Sequence, residues 1–160
     1  MQEGYPAQMA APIVLNGDFA PHIQSRLLAT KEWIFKNHKS PDIQIIDVRS
    51  PEEYIGKDVR SAQGGHIPDA LNLNWINNLI GGGSKTFLPE AELAAVYEYE
   101  RISKEKQVIT YCQTGVRGAH TYFVLRLLGY PTVRVYDGSW AEWGNDPGSP
   151  KITGTEDPSN

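Results

Sequence analysis

The chain has 160 residues, 40% hydrophobic and 21% charged, ordinary proportions for one soluble domain that buries about 70% of its unfolded surface. Its formal net charge of -4 argues against a nucleic-acid partner, which needs a basic face. One cysteine excludes an internal disulfide, no apolar run approaches the roughly 20 residues of a membrane span, and Met1 to Ala20 lacks a basic-then-apolar leader pattern. The expectation is a cytoplasmic protein with no membrane partner, a periplasmic one being the alternative if a signal segment was removed.

Residues 1–22, with Pro6, Pro12, Gly17 and Pro21, read as an extended lead-in. Arg26-Leu27-Leu28 offers an edge strand. Thr30 suits the N-cap of a helix over Lys31 to Lys39 that turns Trp33, Ile34 and Phe35 inward. Ile43-Gln44-Ile45-Ile46-Asp47-Val48 is apolar on both faces, as a central parallel strand should be. Ala70 to Asn74 is a weaker strand. Pro89 sits well near the first turn of a helix running to about Arg101, with Leu93, Val96 and Tyr97 on one face.

Val108 to Tyr111 predicts a second buried strand, followed past Cys112 by a helix carrying Tyr122, Phe123, Leu125, Leu127 and Leu128. That helix stops at Gly129, with Pro131 beyond. Val133 to Tyr136 predicts a further strand, and residues 147–160 read as a flexible tail. Alternating strands and helices over residues 23–146 predict one α/β domain, an open, mostly parallel five-stranded sheet with helices on both faces. In such sheets the chemistry lies at the carboxyl ends of the strands. Cys112 falls there.

A lone intracellular cysteine is most often an inert core residue. Here it opens the segment Cys112-Gln113-Thr114-Gly115-Val116-Arg117, between a β-branched run and a helix start. A strand, a glycine turn and a helix N-terminus aim several backbone N–H groups at one spot, and the helix dipole adds partial positive charge. Arg117 adds a full one. Such surroundings favour the thiolate, the nucleophilic form. The four histidines form no metal-ligand spacing, so no metal and no cofactor is expected.

Three separated blocks resemble the rhodanese family of sulfurtransferases. They are Ile45-Ile46-Asp47-Val48-Arg49-Ser50-Pro51-Glu52-Glu53-Tyr54 with Gly65-His66-Ile67-Pro68-Asp69-Ala70-Leu71-Asn72; the Cys112 to Arg117 loop; and Val135-Tyr136-Asp137-Gly138-Ser139-Trp140-Ala141-Glu142-Trp143. The last is especially like the catalytic half of tandem thiosulfate and 3-mercaptopyruvate sulfurtransferases. Asp69 stands where that family usually has glycine. Gln113 and Thr114 match neither the cationic loop typical of thiosulfate enzymes nor the small-residue loop typical of mercaptopyruvate enzymes.

The resemblance implies a single rhodanese-like domain and a double displacement. The Cys112 thiolate would take the outer sulfur of thiosulfate, release sulfite and become a persulfide, which cyanide or a thiol then discharges. The partners would be a small anionic sulfur donor and a thiol or cyanide acceptor; the alternatives are a persulfide carrier that delivers sulfur to an acceptor protein, or a 3-mercaptopyruvate sulfurtransferase. The backbone amides of Gln113, Thr114, Gly115, Val116 and Arg117 would hold the persulfide, and Arg117 would offer a forked set of donors to the sulfonate. Arg60 lies where sulfurtransferases of this kind often carry a substrate-binding arginine, and a solvated loop charge is the other reading. Asp47 could accept hydrogen bonds from the active-site loop, while Arg49 is expected in a structural ion pair. His66 is expected to bond the backbone, and His120, Trp140 and Trp143 to pack.

Four residues separate Cys112 from Arg117, one fewer than in the related dual-specificity phosphatases and arsenate reductases. The shorter loop suits one sulfur atom rather than a tetrahedral oxyanion.

Overall fold

The computed structural model describes residues 17–18, 20–22, 24–81 and 86–154, so Pro6, Pro12 and the end of the chain lie outside the described residues. Five strands form one sheet: β1 (Leu28–Ala29), β2 (Ile43–Asp47), β3 (Ala70–Asn72), β4 (Gln107–Tyr111) and β5 (Val133–Tyr136). Their order is β1-β5-β4-β2-β3, and every pairing is parallel. The apolar β2 and β4 pair from Ile43 opposite Gln107 to Asp47 opposite Tyr111, so the carboxyl ends of the two central strands lie level.

The helices are α1 (Lys31–Asn37), α2 (Pro51–Tyr54), α3 (Glu90–Tyr99), α4 (Val116–Leu127) and α5 (Ser139–Trp143). Two apolar cores confirm that both sheet faces are covered. On one, Ile46, Val48 and Val108 meet Leu93 and Tyr97 of α3 and Val124 and Leu125 of α4. On the other, Ile45 and Ile109 meet Ile34 of α1 and Trp140 and Trp143 of α5. Adjacent residues such as Ile45 and Ile46 serve opposite cores because strand side chains alternate.

Several local readings shift. Ser25–Leu27 is a 3-10 turn, and the edge strand starts only at Leu28. Thr30 does cap α1, accepting from the Trp33 amide at 3.2 Å, but the helix ends at Asn37 and Phe35 is half exposed. Pro89 is the N-cap of α3, next to its first turn, and the helix ends at Tyr99. In α4 the inward face is Gly118, Thr121, Val124 and Leu125, whereas Phe123 and Leu127 face solvent. The run Tyr122 to Leu128 is apolar nearly all round, so hydrophobicity alone could not set its phase.

Residues 147–154, assigned above to the tail, are tied to the domain. Ile152 and His66 exchange backbone hydrogen bonds at 2.9 and 3.1 Å, and Trp143 Nε1 donates to the Pro150 carbonyl at 2.8 Å. Asp69, in the family's glycine position, has φ +62°. That left-handed backbone is one aspartate tolerates and glycine adopts freely.

Beneath the carboxyl ends of β2 and β4 lies a buried ion pair. The Asp47 carboxylate accepts from the Arg49 amide at 3.0 Å, from Arg49 Nε at 2.9 Å and Nη2 at 2.6 Å, and from Tyr111 Oη at 2.7 Å. Arg49 also donates to the Gly65 carbonyl at 2.6 Å and lies over the Trp140 ring at 4.6 Å. Both ionic partners are essentially fully buried. The Asp47→Asn protein should therefore unfold with a loss of about 3 kcal/mol, because it strands the Arg49 charge in the core. Urea unfolding checks this, and a midpoint equal to the parent's would mean that the guanidinium finds other acceptors.

Candidate active site

Cys112 follows β4 directly, and residues 113–115 turn the chain into α4. Thr110 Oγ1 donates to the Gly118 carbonyl at 3.0 Å and ties the first turn of α4 back onto β4. Gly115 makes the turn with φ +84°, and a Cβ there would come within 2.6 Å of Asp137 Oδ1. Only glycine satisfies both demands.

The loop is fixed from behind by the segment entering α5. Ser139 Oγ accepts from the Cys112 amide at 3.2 Å and from the Gly115 amide at 3.0 Å, and donates to the Tyr136 carbonyl at 2.7 Å. The amides of Trp140 and Ala141 donate to the Cys112 and Gln113 carbonyls, both at 2.9 Å. Ser139 sits at φ +52°, strain that its three hydrogen bonds offset. The amides that remain, those of Gln113, Thr114, Val116, Arg117 and Gly118, donate to no acceptor among the described residues. Following Cys112 at the start of α4, they are available to a negative charge.

Cys112 itself is only 1% exposed and borders the α3–α4 core. Thr114 and Val116 are the exposed residues of the loop. The thiol is thus more enclosed than its loop position suggests, with apolar side chains on one side and unclaimed amides along the chain that follows it.

Arg117 does not extend its fork into open space. Its two terminal nitrogens meet Glu53 at 2.7 and 2.9 Å. These bonds hold its guanidinium above the ordinary value against burial, and interaction with the Cys112 thiol pushes the same way. Glu53 is buried at the start of α2, where Ser50 and Glu53 form a reciprocal cap. Burial alone would push the Glu53 carboxyl up. The Arg117 hydrogen bonds, the Ser50 amide and the charges of Arg117 and Arg60 reverse that and hold it below the usual carboxylate range.

Arg60 reaches the same place. It lies 3.7 Å from Glu53 and 2.7 Å from Asp58, and about half of its side chain is exposed. Gln113 Nε2 closes the group by donating to the Arg60 carbonyl and to Ser61 Oγ, both at 3.1 Å. Asp47 instead bonds Arg49 and Tyr111, so it reaches the loop only through the residue preceding Cys112. His66 stacks on Tyr54 with ring centroids 3.6 Å apart and meets the Tyr54 carbonyl at 2.9 Å. His120 packs against Trp75 and Phe87, and Trp140 and Trp143 are core. Among the described residues no cluster could hold a metal, and no helix is long and apolar enough to cross a membrane.

Two residues of the site carried no assigned role in the sequence reading. Glu53 had a local signal, the capping spacing from Ser50, but nothing local pairs it with Arg117. Ser139 lies in a motif read for its tryptophans.

A family model described as a rhodanese-like domain matches residues 30–146. A thiosulfate sulfurtransferase of Azotobacter vinelandii is 35% identical over 94% of this chain and 55% of its own length. The sulfur carrier protein TtuD of Thermus thermophilus is 36% identical over 98% of this chain and 59% of its own. The chain therefore spans little more than half the length of these relatives. Among solved structures, the anaerobic ergothioneine biosynthesis enzyme of Chlorobium limicola, bound to trimethyl histidine, superposes with a TM-score of 0.75 at 30% identity. That match covers 82% of this chain and 33% of the other.

Replacing Ser139 with alanine should cost about 2 kcal/mol, because two buried amides lose their acceptor. It should also slow alkylation of Cys112. An unfolding midpoint and alkylation rate equal to the parent's would show that the loop closes without the hydroxyl. Arg117→Ala should cost about 2 kcal/mol by stranding the Glu53 carboxylate, and adding Glu53→Ala should recover part of that loss in a double-mutant cycle. Strictly additive costs would mean that the pair carries no coupling.

Proposed function

Because the chain belongs to the rhodanese-like family, we propose that it is a sulfurtransferase that moves a sulfane sulfur from thiosulfate to a thiophilic acceptor through a persulfide on Cys112. The thiosulfate sulfurtransferase relatives support the donor and reaction class. The observation that carries the reading for this chain is the five unclaimed amides after a lone cysteine at a strand end.

The electrons balance without a cofactor. The Cys112 thiolate attacks the outer sulfur of thiosulfate, a new S–S bond forms, and the old S–S bond breaks with its pair leaving on sulfite. A cyanide or thiol acceptor then attacks the outer persulfide sulfur and returns the pair to Cys112. Negative charge stays near the cysteine in both half-reactions, where amide dipoles stabilise it without rearranging. An ionised thiol needs no general base, which suits a site whose histidines are occupied in packing. A single free cysteine working as a thiolate fits the reducing cytoplasm. The sulfur-carrier relative supports a second reading, in which the persulfide is discharged to a protein thiol.

Incubation with thiosulfate should add one sulfur atom to the intact mass, and cyanide should remove it as thiocyanate. Cys112→Ser should take up none. Sulfur uptake that persists in Cys112→Ser would reject the reading, whereas a loaded protein that discharges to a protein thiol but not to cyanide would favour the carrier role.

A further inference from the structure

The arginines at this site are not free. Glu53 occupies both terminal nitrogens of Arg117, Asp58 engages the Nε and Nη2 nitrogens of Arg60 at 3.0 and 2.7 Å, and Glu53 also lies 3.7 Å from Arg60. Asp137 borders the loop at Gly115. A mouth whose sequence reads as cationic is therefore electrically compensated by carboxylates. Coulomb energy scales with the charge of the approaching molecule, so carboxylates beside the arginines penalise a dianion more than a monoanion, and a neutral molecule hardly at all.

We propose that Glu53, assisted by Asp58, is a specificity-determining residue. Its carboxylate cancels Arg117 and thereby sets how strongly the Cys112 site discriminates among sulfur donors and other electrophiles by their charge. The buried position of Glu53 makes it the stronger of the two, because a screened, half-exposed Asp58 acts at shorter range. Glu53 touches neither the reacting sulfur nor the donor; it acts through Arg117.

This inference rests on Cys112 being the nucleophile of the proposed sulfur transfer, and its test separates the two. Cys112 is alkylated in parallel by iodoacetamide, which is neutral, and iodoacetate, an anion of the same reach. The ratio of the two rates cancels the thiolate fraction and any purely structural loss of access. In Glu53→Gln the iodoacetate-to-iodoacetamide ratio should rise on the order of fivefold, and in Asp58→Asn on the order of twofold. In steady state, Glu53→Gln should lower KM for thiosulfate, a dianion, more than for 3-mercaptopyruvate, a monoanion.

An unchanged or lowered alkylation ratio in folded Glu53→Gln overturns the proposal. If that variant does not fold, an unchanged ratio in Asp58→Asn overturns it. Failure of the parent protein to take up sulfur from either donor would remove the sulfurtransferase reading while leaving the alkylation ratio to report on Glu53.

Discussion

One hydroxyl closes the loop on which the chemistry depends. Ser139 Oγ takes the amides at both ends of the turn, those of Cys112 and Gly115, and passes its own proton to the Tyr136 carbonyl. The amides it takes are the ones that would otherwise compete for a charge in the loop. Those it leaves have no acceptor among the described residues. The set of available amides is thus defined by subtraction, and the loop can be rigid because its back is bonded to the segment that starts α5. The φ of +52° at Ser139 is where the fold stores the strain that this arrangement requires.

Two of the carboxylate–arginine pairs at the site do different work. Asp47 and Arg49 lie wholly inside the domain and join the end of β2 to Tyr111, to Gly65 and to the Trp140 ring. Burial pushes the Tyr111 phenol well above its ordinary range, so it stays a proton donor to Asp47. That pair organises the platform under Cys112. Glu53 and Arg117 lie nearer the surface and couple the short helix after β2 to the first turn of α4. The first pair fixes shape, and the second sets charge.

Much of this was legible in the residues. Ile43 to Val48 and Val108 to Tyr111 are apolar on both faces, which only a central parallel strand uses well, and their ends place Asp47 opposite Tyr111, the residue before Cys112. The Thr30 cap and the Gly129 stop are local signals, and both hold. The missed features are long-range. Glu53 and Arg117 are 64 positions apart, and Cys112 and Ser139 are 27 apart. No periodicity relates such residues; only the strand order does. For the same reason Arg117 reads from sequence as a free fork, since its partner becomes visible only when α2 and α4 are seen to converge. The inward face of α4 was not legible, because Arg126 is the only polar residue between Tyr122 and Leu128.

A sulfur site does not have to be strongly cationic to stabilise sulfur anions. Peptide dipoles act at close range on whatever sits at the loop centre, and they are spent neither on counterions nor on long-range attraction. Formal charges act further out, on whatever approaches. In the proposed reaction, separating the two leaves the amides to hold the sulfur anions, while Glu53 and Asp58 adjust the field at the mouth independently. A substitution at the mouth can then retune which donors enter without altering the groups that hold the transferred atom.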